Sequence, residues 1–119
     1  MEIDAAFLQA ALQALKEEIF STLHVAMPGI VMAYEAATRT ADVLPALLRK
    51  DSEGNEVAAP LLKAVPVFLC GREADPEAGT RCLLIILDFC VDGFMESGEA
   101  CVPDSPRMHD LSDAVALVR

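Results

Sequence analysis

Apolar positions follow two rhythms along this chain, and the rhythm changes at Met27-Pro28-Gly29. Before that point Ala5, Leu8, Leu12, Leu15, Ile19 and Thr22 recur at alternating steps of three and four, the spacing of a helical seam. Residues 4–24 contain no Gly or Pro and are dominated by good helix formers, so the spacing predicts a helix. Two arrangements suit so short a seam. It can pair with other copies, with Leu8, Leu12, Leu15 and Ile19 as the candidate contacts, or it can lie on the rest of its own chain. His24 is expected at the helix end, where a cation suits the negative terminus.

Beyond Met27-Pro28-Gly29, which breaks the helix, the alternation shortens to that of extended chain. Ile30, Met32 and Tyr34 alternate with Val31, Ala33 and Glu35 and predict a first strand. Thr38-Arg39 reads as a turn and residues 40–49 as a second strand, which Pro45 places at an edge or a bulge. Residues 51–55 form a hairpin tip from which Glu56-Val57-Ala58 returns. Pro60 and Pro66 bracket a segment that ends in a strand at residues 67–70, and a charged loop occupies residues 71–80.

Residues 81–90 are apolar on both faces. Leu83, Ile85, Leu87 and Phe89 alternate with Cys82, Leu84, Ile86 and Cys90, and only Asp88 interrupts the second set. A strand of that kind must be covered on both sides. Within a barrel one side is the interior, and the side carrying Leu84, Ile86 and Asp88 is assigned outward, to an interface. An unpaired buried carboxylate is too costly, so Asp88 is expected to face outward at a bulge or to pair with Arg81 or Arg107. A turn at residues 91–93, a closing strand at 94–96 and a loop over 97–106 follow. Asp110 with Asp113 resembles a capping box ahead of Ala114-Val115-Ala116-Leu117, which predicts a short terminal helix. The fold class expected is mainly β: a five-stranded Greek-key barrel over residues 27–119, an N-terminal helical region over 1–26, and a short C-terminal helix.

Composition narrows the partners. The chain has 119 residues, enough for one modest core, yet 54% of them are apolar, which predicts cover by another copy or a partner. Its 19 acidic against 9 basic residues argue against a phosphate-binding surface. There is no Trp and a single Tyr, and Phe68 and Phe89 sit on strands that read as buried, so stacking of single-stranded nucleic acid is disfavoured as well. No leader-like pattern opens the sequence and its longest apolar run, residues 82–87, is strand-sized; synthesis in a cytoplasm without membrane insertion is the expectation.

Candidate chemistry is sparse. Cys70, Cys82, Cys90 and Cys101 show no CxxC spacing, so free thiols are expected and no metal or cofactor site. His109-Asp110 near Asp113 could pair a base with its orienter, but no motif supplies a nucleophile. The favoured reading is structural: Asp110 caps a helix, and Arg107 and His109 pair with neighbouring acids. No catalytic residue is assigned, and the chain is not expected to be an enzyme.

The residues from Leu83-Leu84-Ile85-Ile86 through Val91-Asp92-Gly93-Phe94-Met95-Glu96-Ser97-Gly98 to the run from Asp104 to Leu117, which contains PRMHDLSDA, resemble the N-terminal domain of phage central tail-spike proteins. Leu23-His24, Met27-Pro28-Gly29-Ile30-Val31 and residues 40–47 match the same domain in the same order. The resemblance implies an oligonucleotide/oligosaccharide-binding-type (OB) barrel that caps the tail hub as three copies and precedes a β-helical needle used against the host outer membrane. The implied partners are two further copies of the chain, a tail-tube or baseplate hub protein and the needle, within the virion. The iron ion that such needles can carry does not transfer, because no His-x-His occurs in this sequence. A generic OB-type module for nucleic acid or carbohydrate is the alternative.

Overall fold

A computed structural model describes residues 4–71 and 74–119; Met1 to Ile3, and Arg72 and Glu73 of the predicted charged loop, lie outside the described residues. The elements in order are helix α1 (Ala5–Thr22), strands β1 (Ala26–Glu35), β2 (Thr40–Pro45), β3 (Arg49–Lys50), β4 (Glu56–Val57), β5 (Leu62–Leu69) and β6 (Arg81–Ile86), helix α2 (Asp92–Ser97), a 3₁₀ turn (Leu111–Asp113) and β7 (Ala114–Val118). Five strands close into a barrel in the order β1-β2-β5-β7-β6, with β6 returning to β1. All neighbours are antiparallel except β5 and β7, which run parallel. The protein is therefore mainly β, with a closed five-stranded barrel, an N-terminal helix and a short second helix.

Alternation selects the interior. Val31, Val43, Leu84, Ala116 and Val118 are at most fractionally accessible and, with Ala41, Val65, Val67, Ile86 and Ala114, fill the barrel. Small and β-branched residues predominate because a five-stranded barrel leaves room for little more. Gly29 marks the tightest point: a Cβ there would stand 2.8 Å from Val43 Cγ1 and 3.0 Å from Leu84 Cδ1. The glycine in Met27-Pro28-Gly29 thus lies inside β1, where it lets strands close, and the helix has already ended at Thr22.

Prolines fit where no ladder donor is demanded. Pro45 ends β2, at neither an edge nor a bulge of the closed barrel, and residues 46–48 separate β2 from β3, so the strand expected over 40–49 is two. Pro66 lies inside β5, just before pairing with β7 begins at Val67. Val67 N donates to Arg39 O on the β2 side, so alternation points the Pro66 nitrogen toward β7, where it is not yet needed. The irregular register falls elsewhere, between Val31 and Ala33 on β1 and between Ala41 and Val43 on β2. The hairpin tip forms as expected, with Asp51 Oδ1 accepting from both Glu53 N and Asn55 N at 2.9 Å.

Three expected elements are different. Ala114-Val115-Ala116-Leu117 is not helical but forms β7, which inserts between β5 and β6 and closes the barrel. Residues 94–96 belong to α2, ended by Gly98 in the left-handed region at φ 72°, and not to a closing strand. The strand expected over 81–90 stops at Ile86; beyond it Leu87 N still donates to Asp113 O, and Phe89 bridges Met108.

Helix α1 stands clear of the barrel. Asp4 caps it through Ala6 N at 3.0 Å, yet none of its residues is buried. The radius of gyration, 18.3 Å, exceeds the roughly 13–14 Å of a compact chain of this length. The arrangement in which the helix lies on its own barrel is not the one adopted.

Candidate interaction surfaces

The first surface is the helix. Leu8, Leu12, Leu15 and Ile19 are each 50–58% exposed along one side of α1, with Leu23, just past the helix end, beside them. These four side chains are uncovered in the single copy. Lys16 Nζ lies 6.0 Å from the Phe20 ring centroid and shields part of one flank.

The second is the outer wall of the barrel, and it corrects an expectation. Leu84 and Ile86 point into the core, at 0% and 3% exposure, and not to an interface. The outward side of β6 carries Leu83 and Ile85, since Gly29 and Val31 on β1 and Ala114, Ala116 and Val118 on β7 fix the inward parity. Leu83 stands opposite Pro28 of β1 and Leu117 of β7, and Leu117 stands opposite Phe68 of β5. A row Phe68–Leu117–Leu83–Pro28 thus crosses four neighbouring strands without a charge. Ile85 and Ala26 extend it toward the end of α1. Phe68 and Phe89, expected to be buried, are 48% and 52% exposed.

Between β6 and β7 the chain is held by one cation. Arg107 Nε donates to Asp113 Oδ2 at 2.7 Å, and Nη2 donates to Asp113 Oδ1 at 2.9 Å and to Asp92 Oδ2 at 3.0 Å. Asp113 is 1% exposed, and its Oδ1 also accepts from Val91 N at 3.4 Å. The two carboxylates, Asp113 foremost, raise the Arg107 pKa further above its usual value, so the guanidinium stays charged. Cys90, Asp92 and Asp113 place ligand-type atoms within 4.8 Å of one another, but the cation they face is this guanidinium. The cluster ties α2 and the 3₁₀ turn to the start of β7.

Asp110 caps that turn through Ser112 N at 2.8 Å, and this bond holds its carboxyl below the usual 3.8. His24, just past α1, lowers it slightly by charge. The capping residue is the one the sequence indicated, while the element it caps is shorter and leads into a strand. Asp88 is exposed, with its partner neither Arg81 nor Arg107: His109 Nε2 lies 3.6 Å from Asp88 Oδ1 and His109 N donates to Asp88 O at 3.2 Å. His109 adopts φ 48°, and its Nδ1 is buried without a partner. The four cysteines are free thiols, and burial pushes the Cys82 thiol up. An open groove of about 410 Å³ lies between β5 and the 3₁₀ turn, and its one ionic side chain is Lys63, 3.4 Å from Asp42.

Residues 27–119, the barrel from the second residue of β1 onward with its loops, match the family described as phage protein Gp138 N-terminal domain. The chain belongs to this family. Among curated proteins, none matches it. As a Gp138 N-terminal domain it is a phage protein domain, and the matched span begins inside β1, so α1 lies before it. The outer row, the Arg107–Asp113 pair and the β7 closure all fall within the span that the family covers.

Proposed function

We propose that this Gp138 N-terminal domain is a structural part of the phage particle: the hub-facing OB barrel of a central tail spike, assembled as a homotrimer. Copies would surround the tail axis and dock on the tail tube or baseplate hub. The role is mechanical and not catalytic, passing the force of contraction to a needle directed at the host outer membrane. What carries the reading is the family match over residues 27–119, on a barrel whose outer wall is left apolar. The barrel order, with its third and fifth strands parallel, agrees with an OB-type path. Fold alone does not fix the role, and the resemblance in residues 104–117 supplies the spike assignment.

The test is location. Gold-labelled antibody against the barrel, applied to purified particles, should decorate one end of the tail, and mass spectrometry of those particles should recover the chain. Particles that lack the chain would overturn the reading. A binding role for nucleic acid or sugar would instead show as saturable binding of oligonucleotide or glycan by the isolated protein.

A further inference from the structure

Two apolar surfaces in this chain lack cover, and neither covers the other within one copy. The α1 seam extends over an 18-residue helix, about 27 Å long. The row Phe68–Leu117–Leu83–Pro28 spans three strand spacings, about 14 Å, with Ile85 and Ala26 adding depth. The chain exposes 8806 Å², against roughly 6,200 Å² for a compact folded chain of this length, and the difference is of the size that an obligate interface buries.

A coiled coil of α1 with itself is a poor use of that seam. Ala5 and Thr22 occupy its ends, which leaves Leu8, Leu12, Leu15 and Ile19 as its strong core positions, fewer than three heptads. The flanking positions offer no ion pairs: in a parallel coil Ala11 would face Lys16, and Glu18 would face Leu23. A flat sheet wall asks for neither. It accepts an apolar helix side, here extended by Leu23 just past the helix end. Charge agrees. A chain with net charge −10 meets its own copy best through carboxylate-free faces, and the row is one. The next outward position on β6 is Arg81, which puts a cation at the rim, while Glu18 borders the helix seam.

We propose that α1 of one copy packs across the outer barrel wall of the next, over Phe68, Leu117, Leu83 and Pro28, so that copies join head to tail. The contact is heterologous, and a ring closes it. This rests on the homo-oligomeric reading above and specifies its interface.

The experiment measures solution mass by light scattering for the full chain and two double variants. One variant breaks the helix side (Leu12→Glu with Ile19→Glu) and the other breaks the wall (Phe68→Lys with Leu83→Lys). All of the altered side chains are at least 45% exposed, and circular dichroism checks that each variant keeps the barrel. The wild type should be an oligomer and each variant a single chain. An equimolar mixture of the two variants should then form a two-chain species, because one intact helix meets one intact wall. A wall variant that keeps the wild-type mass would overturn the proposal and leave the homotrimer standing on a helix-only seam. A mixture that stays monomeric would also overturn it. A wild type that is monomeric at every concentration would overturn both the interface and the homotrimer.

Discussion

Arg107 closes on both carboxylate oxygens of Asp113, at 2.7 and 2.9 Å, six residues away in sequence and across the entry to β7. Asp113 is the sole charged side chain among the described residues that is fully buried. The pair therefore sets where the last strand begins, because a carboxylate at that depth is tolerable only beside its cation.

Removal of one partner should cost more than removal of both. Arg107→Leu should lower the urea midpoint well beyond the change from Lys63→Ala, which breaks the exposed pair with Asp42. Arg107→Leu with Asp113→Leu should recover much of the loss. Equal midpoints for the single and double variants would show that the cation is not what makes Asp113 tolerable.

The interior leaves no slack at Gly29. Gly29→Ala should cost about 1–3 kcal/mol, because the added carbon meets Val43 and Leu84 inside contact distance. Leu84→Ala, which opens a cavity at a fully buried site, should cost about 2–5 kcal/mol. Both are read from equilibrium unfolding. A neutral Gly29→Ala would mean that β1 can move away from β2 and β6.

Much of this barrel is legible in the sequence, and the failures have physical causes. The alternation in residues 30–35 and 81–86 gives two of its strands, and the unbroken spacing before Met27 gives α1. The parity of β6 was unreadable because Leu83 and Leu84 are chemically alike; only the pairing with β1 and β7 decides which faces inward. The terminal strand was hidden by its capping signal. Asp110 does cap a turn, but Asp113 is drawn away by Arg107 and does not reach back to the cap, and the chain then extends. Apolar residues on both faces of Ala114–Val118 fit a short helix as readily as a buried strand.

Acid should weaken the protein through its capping carboxylates. Asp110 and Asp51 both lie below their usual 3.8, each chiefly through backbone hydrogen bonds, from Ser112 and Asn55 respectively. A carboxylate lowered in the folded state contributes stability that is fully present above its unfolded value and is lost as pH falls through the folded one. The window therefore lies around and below pH 3.8. Asp110→Asn with Asp51→Asn keeps an acceptor at each turn but cannot titrate. The thermal midpoint of this variant should fall less than that of the wild type between neutral pH and that window. Parallel curves would show that the two caps do not contribute to acid sensitivity.

Single-stranded DNA should not bind, even at low salt, where phosphate attraction is strongest. The exposed phenylalanines remove one objection, since Phe68 offers a ring face on the barrel wall. Charge keeps the other. Arg107 is committed to Asp113 and Asp92, Lys63 lies beside Asp42, and the net charge is −10. A stacking platform without a basic groove lacks the term that holds the backbone. Fluorescence anisotropy with a labelled thymidine oligonucleotide at low salt should stay flat. A saturable rise that weakens with added salt would return the barrel to the nucleic-acid-binding class and remove the main argument for an apolar, self-facing wall.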